Sequence, residues 1–228
     1  MTEYAFTPPQ TIALPIINTD ARFPVRRVYC IGRNYAAHAV EMGYDPDREA
    51  PFFFQKNPDN LDTSGIFPYP EETSDVHHEV ELAVMLGAGG SNIGVDDALS
   101  HVFGYGVSLD MTRRDLQAEM KKAGRPWEIG KAFERSAPIS PIYPVTKIGH
   151  PTQGNIALTV NGDVRQEGDL SQMIWKTPEI ISYLSQYFTL AAGDVILSGT
   201  PSGVGRVNVG DRMIATIEGV GELEVQVA

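Results

Sequence analysis

Glu79 and Glu81 stand two apart in the run His77-His78-Glu79-Val80-Glu81-Leu82-Ala83-Val84-Met85-Leu86. On a β-strand that separation puts both carboxylates on one face and Val80 and Leu82 on the other, which enters the core. Two neighbouring carboxylates repel each other and resist burial unless a proton or a cation joins them. A solvated strand face with alternating charge fits the same spacing, so spacing alone does not decide. Asp110 adds to the metal reading. It ends the mainly apolar run Tyr105-Gly106-Val107-Ser108-Leu109, where a ligand can project into a cleft; capping of the next helix is the alternative. Three carboxylates form an oxygen-only set that selects Mg²⁺ first and Mn²⁺ second, with Ca²⁺ compatible, and leaves positions open for water and substrate. His77 shares the two-residue period but is equally compatible with a place beside the ligands, and is not counted among them.

A second pair, His38 and Glu41, lies three apart in an Ala-rich helical stretch, where the two side chains meet. A carboxylate that orients an imidazole lets it take a proton from water. The residues alone favour an ordinary surface hydrogen bond. Arg114 and Gln117 are also three apart on a predicted helix and share a face, while Arg113 points elsewhere. Thr200, in the turn Ser198-Gly199-Thr200-Pro201, offers a hydroxyl and an N–H to an anion, although turn chemistry explains it as well.

The elements that must position these groups are strand-rich. Residues 25–31 read as a strand ending at Gly32, followed by a helix over 34–42 that Gly43 closes. The polar stretch 43–50, with Asp45-Pro46-Asp47, reads as a mobile loop suited to a lid, and Phe52-Phe53-Phe54 as a strand. Strands are expected over 77–86 and 105–110, with a turn over 87–94 into a helix capped near Asp96, and a helix over 111–123. Asn161-Gly162 marks a hairpin between 156–160 and Val164. Thr177-Pro178-Glu179 opens a helix running through Ile181, Leu184 and Phe188, and strands follow over 194–198, 211–218 and 222–227. No regular βαβ alternation or phosphate-loop motif is present, so the fold class is α+β, mainly β. Residues 1–21 read as an N-terminal arm and 22–228 as one catalytic domain.

Composition narrows the partners. The 228 residues hold 29 acids against 18 bases, a formal charge of −11, which disfavours nucleic acid and anionic membrane. Apolar residues make up 42%, as in globular chains, and no apolar run approaches the ~20 residues of a membrane-spanning helix. Cys30 is the only cysteine, which rules out an intramolecular disulfide and fits a reducing cytoplasm; the first thirty residues lack a signal-peptide core, so a cytoplasmic location is expected.

Taken together, His77-His78-Glu79-Val80-Glu81-Leu82 followed by Gly106-Val107-Ser108-Leu109-Asp110-Met111-Thr112 resembles the fumarylacetoacetate hydrolase family. Further matches are Gly32-Arg33-Asn34-Tyr35 with His38 and Glu41, Gly130-Lys131 with Phe133, and Gly193-Asp194-Val195-Ile196 leading into Ser198-Gly199-Thr200-Pro201, over about residues 28–211. The resemblance implies a mixed β-sandwich roll, usually a homodimer. Gly124-Arg125-Pro126-Trp127 and Trp175-Lys176-Thr177 are similar to fumarylpyruvate hydrolases, relatives of the acylpyruvases.

What the resemblance implies is metal-dependent hydrolysis of a carbon–carbon bond in a 2,4-dioxo acid, fumarylpyruvate giving fumarate and pyruvate, with Glu79, Glu81 and Asp110 holding the metal. It also makes His38, oriented by Glu41, the base that deprotonates water. Lys131 and Arg114 add positive charge around the anion, Gln117 orients it, and Thr200 binds its carboxylate. Arg33, Tyr35 and Lys56 are the candidates for the outer fumaryl carboxylate. Rival readings are an oxaloacetate decarboxylase, which shares the enolate but needs no activated water, an isomerase of an unsaturated 2-oxo diacid, and a noncatalytic binding protein braced by a structural cation.

Overall fold

The computed structural model describes residues 3–41 and 50–228. The expected lid therefore lies outside the described residues apart from Ala50, as does the Gly43 helix stop. A six-stranded mixed sheet runs in the order Tyr143–Pro144, Val102–Leu109, Val80–Leu86, Asp194–Leu197, Arg27–Gly32, Phe52–Lys56. A five-stranded sheet packs against it, ordered Asp163–Asp169, Asn155–Val160, Arg212–Ile217, Gly221–Val227, Ile66–Phe67. The family expectation of a mainly β, mixed sandwich roll is met. Among the described residues no helix is long and apolar enough to cross a membrane.

Period-2 alternation explains how the two sheets meet. From the strand Val80–Leu86, Val80, Leu82, Val84 and Leu86 enter the core shared with Ile156, Leu158, Met213, Ala215 and Val225 of the second sheet. Ala83 and Met85 enter a second core with Leu14, Phe23, Val28, Cys30, Ile139 and Ile142. One apolar face was expected to enter the core, yet every residue of the strand is buried, because the hairpin of Ala13–Pro15 and Arg22–Pro24 covers the other side. Leu14 and Phe23, on either side of the expected 21/22 boundary, pack in that same core.

Four neighbouring strands share one edge, and the site lies there. Val80 pairs with Leu109, Leu197 with Ala83, and Leu197 with Cys30, so the start of one strand and the ends of three converge. Glu79, Asp110, the turn after Leu197 and the turn after Gly32 are thereby brought together. The strand expected over 77–86 breaks at Glu79: Val76–His78 leaves for a three-stranded sheet with Thr112–Arg113 and Gly205–Arg206. That pairing also corrects the helix expected from Met111, because Thr112 and Arg113 are extended against His77 and Val76 and the helix is Arg114–Lys122. The first helix is described as Ala36–Glu41, and the later helix Thr177–Tyr187 is capped by Lys176 instead of Thr177.

Asn34 fixes the turn after Gly32. Its buried amide donates to the Ser198 carbonyl at 2.7 Å and the Trp175 carbonyl at 2.9 Å, and accepts from the Trp175 N–H at 2.7 Å. Replacing it leaves buried backbone groups unsatisfied, at about 1–3 kcal/mol each. Asn34→Ala is therefore expected to lower unfolding free energy by roughly 2–4 kcal/mol in urea denaturation; a loss under ~0.5 kcal/mol contradicts this role.

Candidate active site

Glu79, Glu81 and Asp110 are all buried, and one carboxylate oxygen from each lies within 4.8 Å of the others. Three cations face them. Lys131 Nζ donates to Glu79 Oε2 at 2.9 Å, Asp110 Oδ2 at 2.7 Å and Thr112 Oγ1 at 2.6 Å. Arg114 donates from Nη2 to Glu79 Oε1 and from Nη1 to Gln117 Oε1 at 2.7 Å. Lys56 Nζ lies 2.9 Å from Asp110 Oδ1. Gly130 permits this arrangement: a Cβ there would meet the Gln117 backbone nitrogen at 2.9 Å, so only glycine lets the Glu128–Lys131 turn approach the Arg114–Lys122 helix and carry Lys131 inward.

The charges are unevenly shared. Burial alone would raise the Glu79 carboxyl, but the Lys131 ammonium and Arg114 guanidinium more than offset it and hold Glu79 below the usual carboxylate range. Burial, followed by repulsion from Asp110 and Glu79, pushes Glu81 well above that range, and the Gly199 N–H at 2.8 Å offsets this only in part. Lys131 is opposed by burial but raised by Asp110 and Glu79, so it remains an ammonium.

A divalent cation fits this donor set. Among the described residues Glu81 forms no ion pair, although the Lys131 charge acts on it, and Asp110 Oδ1, though close to Lys56, accepts no aligned hydrogen bond. Hard cations bond oxygens at about 2.0–2.6 Å, so oxygens sharing one ion lie no more than roughly 5 Å apart, a limit that these three meet.

The same cleft is lined by His38, Arg33, Gln117 and Thr200, and by Phe52 and Trp127. His38 Nδ1 is 3.1 Å from Glu41 Oε2, and both Glu41 oxygens accept from the Gly203 N–H, at 3.1 and 3.2 Å. Because a carboxylate only accepts, Nδ1 carries the hydrogen and Nε2 is the basic nitrogen. Arg33 adopts a left-handed backbone (φ 57°), and its guanidinium stacks 4.9 Å above the Phe52 ring centroid.

Two residues expected at the substrate's outer carboxylate stand elsewhere. Tyr35 is buried off the cleft wall, pairs through its backbone with Met173, and its hydroxyl has no partner among the described residues. Lys56 lies beneath the acids, bonded to the Met111 carbonyl at 3.3 Å, Ser136 Oγ at 2.9 Å and the Lys131 carbonyl, so it cannot reach an outer group. Lys121 was not anticipated, yet it lines the cleft beside Arg33. Its signal was present: it follows Gln117 by four and Arg114 by seven, on one helix face. Gln166 was missed too, and it bonds residues on both sides of Glu79.

The chain belongs to the fumarylacetoacetate hydrolase family: residues 27–228 match the family described as Fumarylacetoacetate (FAA) hydrolase C-terminal. It is 43% identical over 198 residues to oxaloacetate tautomerase YcgM of Escherichia coli (strain K12), spanning 86% of this chain and 90% of that protein. A mitochondrial oxaloacetate decarboxylase of Dictyostelium discoideum is 41% identical over 197 residues, spanning 86% and 90%. Among solved structures, fumarylpyruvate hydrolase from Pseudomonas aeruginosa in complex with Mn²⁺ and pyruvate is 51% identical, with a TM-score of 0.97 over 99% of each chain.

Glu81 provides a test that distinguishes loss of metal binding from loss of stability. At a hundredfold excess over its dissociation constant, Mn²⁺ is expected to stabilise the wild type by about 2.7 kcal/mol, roughly 5–10 °C in Tm. Glu81→Gln loses most of that rise, yet in excess chelator melts at or above the wild-type temperature, since it removes one of three repelling acids. A full Mn²⁺ shift in the variant would remove Glu81 from the ligand set.

Proposed function

We propose that this chain is a divalent-metal-dependent hydrolase that cleaves fumarylpyruvate, a 2,4-dioxo acid, to fumarate and pyruvate. The observation that carries the reading is that His38, held by Glu41 with Nε2 as its basic nitrogen, lines the same cleft as Glu79, Glu81 and Asp110. The likeness to the Pseudomonas enzyme supports it.

Glu79, Glu81 and Asp110 would hold Mg²⁺ or Mn²⁺, which supplies Lewis acidity toward a 2-oxo acid's carboxylate and keto oxygens. The chain's own groups do the rest. His38 Nε2 takes a proton from water as the hydroxyl adds to C4, and Glu41 steadies the imidazolium that forms. The C3–C4 bond breaks, its electron pair passes to C3 as an enolate, and a proton returned to C3 gives pyruvate while C4 leaves as fumarate. Gln117, its oxygen occupied by Arg114, presents its NH₂ group as a donor, and Thr200 adds a hydroxyl. At the far end Arg33 and Lys121, beside the Phe52 and Trp127 rings, suit a flat tail ending in a second carboxylate.

Oxaloacetate chemistry is the second reading, favoured by the relatives at 43% and 41% identity. Tautomerisation moves only a C3 proton and decarboxylation needs no water, so neither requires His38 to activate one. Purified protein with Mg²⁺ is expected to convert fumarylpyruvate to equal amounts of fumarate and pyruvate, and chelator to stop it. His38→Ala should lower that rate about 10²–10⁴-fold while Mn²⁺ affinity stays unchanged. Wild-type protein inert toward fumarylpyruvate but active on oxaloacetate would replace the first reading with the second.

A further inference from the structure

We infer that Gln166 is a positioning residue: its side-chain amide fixes the Thr200 hydroxyl as a hydrogen-bond donor into the cleft. The inference rests on the reading of that cleft as a 2-oxo acid site.

Obligate donors and acceptors set the orientation of the Gln166 amide. Gln166 is buried and makes four contacts: its Oε1 lies 3.0 Å from the Val80 N–H and 3.0 Å from His78 Nδ1, and its Nε2 lies 2.8 Å from Thr200 Oγ1 and 2.9 Å from the Pro201 carbonyl. A backbone N–H only donates and a carbonyl only accepts, so Val80 and Pro201 together determine which end of the amide is oxygen. A flipped amide would lose both backbone bonds. It follows that Thr200 Oγ1 accepts from Gln166 and cannot direct its own hydrogen there. Among the described residues that hydroxyl meets no other partner, and Thr200 lines the cleft, so its hydrogen points to whatever the cleft binds. With one lone pair of Thr200 Oγ1 taken by Gln166, the hydroxyl hydrogen is the group turned to the cleft, and it suits an acceptor-only ligand atom such as a carboxylate oxygen.

The fold brings Gln166 inward against its local pattern. Strand Asp163–Asp169 slips register between Leu158 and Thr159, a bulge that sets Gln166 instead of Arg165 opposite buried Leu158. The loop carrying Thr200 closes onto the bulge at Gly203, where φ is +94° and a Cβ would sit 2.0 Å from the Arg165 carbonyl oxygen.

Calorimetric titration of the Mn²⁺-loaded protein with pyruvate tests this, using Thr200→Val, the near-isosteric Gln166→Glu, and their combination. Gln166→Met, equal in reach but without a polar atom, provides a second arm through the same cycle should the glutamate variant not fold. Each single change is expected to weaken pyruvate about tenfold, the cost of one aligned hydrogen bond to an ion. The double variant should be no worse than the singles within about twofold, because without the hydroxyl Gln166 has nothing to orient. Thr200→Ser, which keeps the donor, should bind as wild type, and Mn²⁺ affinity should hold throughout within about threefold. Penalties that multiply to about a hundredfold, a Gln166 variant that binds pyruvate normally, or a parallel loss of Mn²⁺ affinity would overturn the proposal alone. Failure of the wild type to bind pyruvate overturns the 2-oxo acid reading and this proposal with it.

Discussion

Three carboxylates cannot stay ionised within 4.8 Å of one another inside a protein unless something positive joins them. At an effective dielectric of about 20, each pair repels by roughly 3–4 kcal/mol, so three pairs approach the whole stability of a domain this size. Lys131 and Arg114 answer Glu79, and Lys131 and Lys56 answer Asp110, while among the described residues Glu81 is bonded by the Gly199 N–H and feels Lys131 only at a distance. The surplus of acid falls at Glu81, beside the unaligned oxygen of Asp110, where a hard cation fits. Charge balance thus joins architecture to chemistry: the arrangement that offsets most of the acid repulsion leaves a place that fits a divalent cation.

That balance requires the sheet edge to be held in register. Glu81 lies in a strand while Glu79 and Asp110 sit just beyond strand ends, the turn after Leu197 supplies the Gly199 and Thr200 contacts, and the turn after Gly32 supplies Arg33 and leads into the His38 helix. Asn34 links the last two turns, and Gln166 ties the Glu79 junction to Thr200. These two buried amides, each with both hydrogens donated and its oxygen accepting, join elements that share no continuous strand pairing at those points. Cleft-facing groups are thereby oriented by buried neighbours, as preorganised sites require.

Much of this was legible in the sequence where chemistry follows a short period. The two-residue spacing of Glu79 and Glu81, the three-residue spacings of His38 with Glu41 and Arg114 with Gln117, and the hairpin at Asn161-Gly162 all keep their geometric meaning in the fold. Tertiary pairing erased other signals. Glu79 sits where the chain leaves one sheet for another, which no alternation marks, and Thr112–Arg113 is drawn into a strand from a stretch of helical composition. Lys56 shares a face with Phe52 and Phe54, as its parity implies, but parity does not say that it lies below the acids and not at the mouth. Gln166 looks like one polar residue among many until the bulge turns it inward.

The central claim is that the acid trio holds one hard cation to which a 2-oxo acid binds. Mn²⁺ binding followed by electron paramagnetic resonance, with and without pyruvate, in the wild type and in Glu79→Gln, Glu81→Gln and Asp110→Asn, tests it most directly. The account predicts one Mn²⁺ per chain, affinity raised by pyruvate and pyruvate affinity raised equally by Mn²⁺, with both lost in each variant. Pyruvate binding that persists unchanged in excess chelator, or Mn²⁺ affinity that survives all three substitutions, would contradict it.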